Sequence, residues 1–288
     1  MRNTYTLLIA QLKLNGHMSM ESRELKTMLE ALRFAYGYDF TEYAEASVKR
    51  RINHFMNLQK INKMEDLQKM LLHNEKFFEA FIQQVSVTVT EMFRDPLFYL
   101  SLRENVVKRL ATYPFIKIWL AGCATGEEAY SVAILLHEEG ILNRSVIYAT
   151  DINQQSLQTA KEGIYPLSKM KNYTVNYQKA GGKVSFSKYY KAKYDSVLFD
   201  KSLKQNLVFA SHNLAVDRSF SEFQLVICRN VLIYFNQQLQ NKVLNLFHES
   251  LCTFGMLGLG SKESLLSSDK RACFDVIDKR EKIFIKTR

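Results

Sequence analysis

The chain has 288 residues, 47% hydrophobic and 24% charged, with 11 Gly, 3 Pro and a formal charge of +10. These fractions exclude disordered, collagen-like and low-complexity classes, and the length accommodates one large domain beside a smaller one. No run approaches about 18 consecutive apolar residues, so no insertion into a membrane is expected. Residues 1–20 lack the long apolar region and small-residue cleavage site of a secretory signal, and read as a disordered leader. The cysteines at 123, 228, 252 and 273 form no CxxC pair, and His137-Glu138-Glu139 lacks the second His of HExxH. A zinc ribbon, a redox motif, a disulfide framework and a metalloprotease are therefore disfavoured, and no metal is expected. Reduced thiols without a signal peptide point to the cytoplasm.

Residues 21–95 read as a helical N-terminal domain. Leu25, Met28, Leu29 and Leu32 follow the i, i+3, i+4, i+7 stripe of an amphipathic helix. A second helix turns Tyr43, Ala46, Ile52, Phe55 and Met56 inward and carries Lys49-Arg50-Arg51 on its other side. A third runs from about Met64 to Leu72, and a fourth buries Phe77, Phe78, Phe81, Ile82 and Val85. A loop over 86–90 leads to Glu91-Met92-Phe93-Arg94-Asp95, and Pro96 fits the first turn of the next helix. Over 96–288 the pattern changes to strands alternating with helices, the signature of a parallel sheet. Strands are predicted over 115–120, 145–149, 207–209, 225–228 and 256–259, with helices over 127–139, 154–161 and 237–251. Segments 276–278 and 282–285 should close the sheet as an antiparallel hairpin. Between residues 167 and 210 nine lysines meet only Asp195 and Asp200, so most of the net charge is gathered there. Short β-like segments around Val184, Phe186, Tyr189-Tyr190 and Val197 to Phe199 read as a β-insertion over about 181–206. So concentrated a charge suits a docking surface for an anionic partner.

The turn after the first strand carries the best chemical clue. Gly122 and Gly126 have GxxxG spacing, neither the dinucleotide GxGxxG nor a Walker loop, and Glu127 and Glu128 fill the first helical turn. Two carboxylates at a helix N-terminus suit a cationic ligand and oppose a pyrophosphate. S-adenosylmethionine, with a sulfonium and an ammonium and no phosphate, fits where NAD, FAD and ATP do not. Asp151, at the end of the second strand, stands near the offset of an acid that binds ribose hydroxyls. Arg229-Asn230 follows another strand, outside the carboxyl end where open α/β sheets bind ligands. The blander alternatives are helix-dipole compensation by Glu127 and Glu128, a helix cap at Asp151, a surface ion pair for Arg94 and a core aromatic at Tyr234.

Seven ordered segments resemble the CheR family of S-adenosylmethionine-dependent chemotaxis-receptor methyltransferases. They are Lys49-Arg50-Arg51, the T-x-x-F-R-D run Thr90 to Asp95, Ala124 to Ser131, Ala149 to Ile152, Gly163-Ile164-Tyr165, Asn213-Leu214, and Cys228 to Phe235. The resemblance implies a class I methyltransferase α/β fold with a Rossmann-like sheet, a small all-α N-terminal domain and an inserted β-subdomain. It implies that Thr88, Thr90 and Arg94 border S-adenosylmethionine, with Arg94 also near the acceptor carboxylate. Gly122 to Glu128 would hold the methionine end, Asp151 the ribose, Asn213 and Leu214 the adenine, and Arg229-Asn230 the pocket floor. Tyr234 would position the acceptor beside Arg94. Lys49, Arg50 and Arg51 would dock acidic helices of a chemoreceptor's cytoplasmic domain. The expected reaction forms a glutamate methyl ester and S-adenosylhomocysteine, on a monomer. Departures from the family pattern are mild in the turn (Leu120, Ala124, Ala129, Met92) and larger in the β-subdomain. Two alternatives stay open: a methyltransferase acting on another protein or on nucleic acid, and a non-catalytic cofactor-binding receptor module. The first lacks the D/N-P-P-Y/F motif of amino-methylating nucleic-acid enzymes, since Arg229-Asn230-Val231-Leu232 occupies that place.

Overall fold

The computed structural model describes residues 20–86, 89–266 and 268–288. The expected leader, apart from Met20, and Thr88 lie outside the described residues. The chain divides into two compact units, 1–85 and 86–288.

Among the described residues the first unit contains four helices: α1 (Met20–Tyr36), α2 (Glu45–Gln59), α3 (Met64–His73) and α4 (Glu75–Val85). The predicted stripes converge on one core holding Leu25, Met28, Leu32, Ile52, Phe55, Phe78 and Phe81. Ala46 departs from expectation: it is exposed, and it lines a shallow groove with Lys49, Arg50, Asn53, His54 and Asn57. These positions recur at helical spacing along one outward face of α2.

The second unit begins with α5 (Pro96–Ser101), which runs through a π-turn, Leu102–Val106, into α6 (Val107–Leu110). Then follow β1 (Ile116–Ala121), α7 (Glu127–Glu138), β2 (Ser145–Asp151), α8 (Gln154–Glu162) and β3 (Ile164–Pro166). Next come α9 (Met170–Lys179), β4 (Tyr190–Lys193), β5 (Ser196–Phe199), α10 (Lys201–Lys204), β6 (Leu207–Ser211) and β7 (Phe223–Cys228). The unit ends with α11 (Gln237–Ser250), β8 (Leu251–Leu259), β9 (Phe274–Asp278) and β10 (Ile283–Lys286). Seven strands form one sheet in the order β6-β2-β1-β7-β8-β10-β9. The β6, β2, β1, β7 and β8 neighbours pair in parallel, and β10 enters antiparallel between β8 and β9. This is the class I methyltransferase arrangement, and the strand order reverses between β1 and β7. The crevice beyond the carboxyl ends of those two strands is where such sheets take ligands. Trp119 on β1 is fully buried, its indole N–H donating to Thr150 Oγ1 at 2.9 Å.

The lysine-rich stretch holds more helix than its composition suggests. The small sheet, in the order β3-β5-β4, begins already at Ile164. Met170, Tyr173 and Tyr177 place one buried stripe along α9, whose polar remainder and two tyrosines conceal the helix from a composition-led reading. Val184 lies outside any strand, and Phe186–Tyr189 forms a 3-10 turn. β8 starts earlier than predicted, because left-handed Phe254 and a register shift interrupt its alternation without ending it.

Candidate active site

Four loops meet the carboxyl ends of the central strands, and four side-chain-bearing residues there adopt left-handed backbone: Phe93 (φ 51°), Asp95 (55°), Ala124 (46°) and Asn230 (60°). Each such residue costs on the order of 1–3 kcal/mol and persists only where its surroundings impose it. The partners that impose it can be named. The Phe93 amide donates to Ser131 Oγ (2.9 Å), which in turn donates to the Glu127 carbonyl (2.7 Å). Arg229 donates from Nη2 to the Arg94 carbonyl (2.9 Å) and to Asp95 Oδ2 (2.7 Å), so one guanidinium fixes both sides of the turn that presents Arg94. The Ala124 amide donates to Asp151 Oδ2 at 2.8 Å. Gly122 lies so near the post-β7 loop that a Cβ there would collide with Val231 Cγ2.

The two carboxylates of α7 part ways. Glu127 is fully buried and accepts from Thr125 Oγ1 (2.6 Å) and the Tyr173 hydroxyl (3.2 Å), with Lys169 Nζ at 3.6 Å. Burial pushes its carboxyl above the ordinary range, against those hydrogen bonds and the lysine. Glu128 accepts from Arg229 Nη1 at 2.9 Å on Oε1, and the Tyr99 hydroxyl approaches the same oxygen at 3.5 Å. Oε2 of Glu128 receives no hydrogen bond among the described residues. Burial likewise raises the Asp151 carboxyl, offset in part by the amides of Asn153, Ala124 and Ile152. Oδ1 takes the Asn153 amide at 2.9 Å, and each carboxylate oxygen can accept a further donor. Beyond Asp151, Asn213 Oδ1 accepts from the Ala215 amide (3.0 Å), and Leu214 is buried. Thr90 and Arg94 are half-buried on the loop before α5, with Arg94 Nη1 3.4 Å from the Val89 carbonyl. Tyr234 closes the 3-10 turn Leu232–Tyr234 after β7.

In the second unit Gly122, Asn213, Leu214, Arg229, Asn230 and Tyr234 follow the carboxyl ends of β1, β6 and β7, Glu128 stands in the first turn of α7, Asp151 ends β2, and the loop before α5 that carries Thr90 and Arg94 is tied to Arg229 through the Arg94 carbonyl. In the first unit Lys49 and Arg50 line the α2 groove, whereas Arg51 donates from Nη1 to the Val85 carbonyl at 2.5 Å, at the end of α4. Three residues receive no role from sequence reasoning, although Tyr165 lies in one of the seven family-like segments. Tyr165 donates to the Thr125 carbonyl at 2.7 Å and so braces the glycine turn from the insertion. Tyr173 does the same for Glu127 from the unforeseen α9. Glu263 receives backbone amides of the post-β7 loop. Its one sequence signal is an acid three residues after a glycine at a strand end.

Residues 88–283 match the CheR methyltransferase SAM-binding domain, and residues 23–86 match the CheR all-alpha domain. The chain is 50% identical over 264 residues to Cher3 of Pseudomonas putida, a protein provisionally named as a methyltransferase, covering 92% of this chain and 97% of that one. It is 28% identical to the chemotaxis protein methyltransferase of Listeria innocua (80% of this chain, 86% of that one). It is also 28% identical to that of Escherichia coli (76% and 72%). The second unit is therefore a binding domain for S-adenosylmethionine, and its residues suit that molecule. The glycine turn leaves no room for a side chain at 122, Asp151 keeps acceptor capacity for hydroxyls, and Glu128 Oε2 is available to a cation. Among the described residues no helix is long and apolar enough to cross a membrane.

Proposed function

This chain belongs to the CheR methyltransferase family, and from that premise we propose that it esterifies glutamate γ-carboxylates on the cytoplasmic helices of a chemoreceptor. The observation that carries the reading is the presentation of Arg94. A cation stands on a doubly left-handed turn, locked by Arg229 through the Arg94 carbonyl and Asp95, beside the crevice that holds the methyl donor. A guanidinium carried on so fixed a backbone suits a carboxylate acceptor, because its planar fork matches carboxylate geometry.

S-adenosylmethionine supplies an electrophilic methyl group when bound. The chain's own residues supply position. Asp151 accepts ribose hydroxyls, Glu128 Oε2 faces the amino-acid end of the donor, and Asn213 and Leu214 flank the adenine. Thr90 would border the remainder, with Arg229 and Asn230 as the pocket floor. Arg94 and Tyr234 orient the acceptor for in-line attack. A glutamate carboxylate is already ionised at neutral pH, so the site requires no general base. Accordingly His212, the histidine beside Asn213, has another occupation: its Nε2 lies 3.2 Å from the Arg218 carbonyl and its ring stands edge-on to Trp119. Alignment of two bound reactants offers about 7–11 kcal/mol of barrier reduction at best. Attack joins a negative nucleophile to a positive donor, so exclusion of water favours the transfer. Lys49, Arg50 and Arg51 of α2 dock the acidic receptor helix in the cytoplasm, and Arg51 also donates to the Val85 carbonyl at the end of α4.

The test is transfer from S-adenosylmethionine to a purified chemoreceptor cytoplasmic fragment, with the sites mapped by peptide mass spectrometry. Methyl groups on glutamates support the reading. Methylation of lysine or of added RNA with the glutamates untouched overturns it.

A further inference from the structure

We propose that Glu263 is a positioning residue for methyl transfer, a buried strut that fixes the loop carrying Arg229, Asn230 and Tyr234 against the end of β8. The proposal deepens the methyltransferase reading, since it concerns how the same crevice holds its reacting groups in register.

Glu263 is only 4% exposed, yet it makes no ion pair among the described residues. Its carboxylate instead collects backbone donors from two loops. Oε1 accepts the Val231 and Leu232 amides, each at 2.8 Å, and Oε2 accepts the Gly260 amide at 2.6 Å. The Asn230 amide adds a further favourable contact. Burial nevertheless leaves the carboxyl above its ordinary range, so the fold keeps this group at an electrostatic cost. Gly260 is part of the device, because a Cβ there would stand 2.7 Å from Glu263 Oε2 and 3.0 Å from the Asn230 amide.

The amides that Glu263 gathers belong to the segment after β7, at the strand-order reversal. One residue upstream of them is left-handed Asn230, and before it is Arg229, whose guanidinium locks the Arg94 turn. Two residues downstream is Tyr234. Removing the strut frees consecutive amides from a carboxylate, and the loop that bears Tyr234 and the Arg229 that locks the Arg94 turn loses its reference to the sheet. Of the donor's proposed partners, Asp151 on β2 and Glu128 on α7 lie on other elements, and only the pocket floor at Arg229 and Asn230 belongs to this loop. Loss of Glu263 therefore acts on turnover more than on donor affinity. A displacement of about 1 Å in a reacting arrangement costs roughly 100-fold in rate.

The experiment compares the wild type with Glu263→Gln, which keeps the shape but offers an amide N–H to one of the two amide sets. Gly260→Ala serves as a second variant that displaces the carboxylate from the other side. Three quantities are read: amide hydrogen exchange of 230–232 and 260 without ligand, S-adenosylmethionine affinity by calorimetry, and kcat on whichever acceptor the wild type methylates. The expected result is faster exchange at those amides, affinity within about threefold, and kcat down roughly 100-fold per folded molecule. Unchanged exchange overturns the proposal, as does a normal kcat per folded molecule, or an affinity loss in step with kcat. A wild type that transfers methyl to something other than glutamate defeats the acceptor reading and leaves the exchange and affinity arms to judge Glu263.

Discussion

Two buried arginines organise the second unit, and they do so differently. Arg103, in the π-turn after α5, has every nitrogen engaged. It donates from Nε to the Ala180 carbonyl (3.0 Å), from Nη1 to Glu139 (2.7 Å) and from Nη2 to Glu138. Tyr177, Tyr189 (2.8 Å) and the Lys183 amide (3.1 Å) complete the Glu138 carboxylate. Arg229 also bridges two carboxylates, Glu128 and Asp95, but its Nε is buried without a partner among the described residues. Its neighbours include the left-handed residues Asp95 and Asn230. The carboxyls divide along the same line. Burial alone would raise Glu138 and Glu139, yet their hydrogen bonds with the tyrosines, Lys183 and Arg103 hold both below the ordinary value. Burial prevails at Glu127 and Asp151, whose carboxyls stand above theirs. A saturated network anchors the insertion to the end of α7 and the π-turn after α5. An unsaturated one, with acceptor capacity left over and strained backbone around it, is a place for a ligand.

The sharpest way to break this contrast is Arg103→Ala. It leaves the buried Glu138 carboxylate without a cation and Glu139 with Lys183 alone, and should cost about 3–5 kcal/mol in denaturant unfolding. Turnover per folded molecule should stay near the wild-type value, and a specific loss of turnover would place the insertion's root in the chemistry. Arg229→Lys should do the reverse. A lysine keeps the charge but cannot span Glu128, Asp95 and the Arg94 carbonyl together. Turnover should fall roughly 100-fold, with a smaller stability loss than at Arg103. Equal stability losses would erase the distinction.

Much of this architecture was legible in the chain, because the period of apolar residues switches after Pro114 and the central strands β1 and β7 are short, mostly buried runs. β1, β2, β7 and the β9-β10 hairpin fall within two residues of their predicted bounds. The site was legible as residue types at fixed spacing, but not as partnerships. Glu127 and Glu128 are adjacent in sequence and were read as one acidic pair. The fold hands Glu127 to Tyr173, 46 residues on, and Glu128 to Arg229, 101 residues on. No local pattern encodes those meetings. The left-handed conformations of Phe93 and Ala124 were equally hidden, since neither residue type favours them and only tertiary contacts impose them. Glu263 was invisible because it bonds only to backbone amides, which carry no sequence identity.

A smaller effect sharpens the ligand side of the contrast. Asp151→Ala should weaken S-adenosylmethionine binding by about 1.5–3 kcal/mol, roughly 10- to 100-fold by calorimetry. It also withdraws an acceptor from the Ala124 amide, so S-adenosylhomocysteine should weaken in parallel. Unchanged affinity would remove Asp151 from the ribose. The smallest effect concerns pH. A carboxyl held below its unfolded value stabilises the fold above that value, and this contribution is lost as pH falls through the folded one. For Glu138 the loss begins near the ordinary 4.5 and continues below it. Glu138→Gln should therefore flatten the acid side of a melting-temperature profile below about pH 5. An unaltered profile would mean that Glu138 contributes no net charge pairing.

The most direct measurement of the central claim follows the methyl group itself. With methyl-labelled S-adenosylmethionine and a chemoreceptor-containing lysate, the wild type should transfer label that mild alkali releases as volatile methanol, the mark of a carboxyl ester. Arg94→Ala, with donor affinity retained, should transfer little. Label that survives alkali on an amine or on nucleic acid, or undiminished ester formation by Arg94→Ala, would contradict the account.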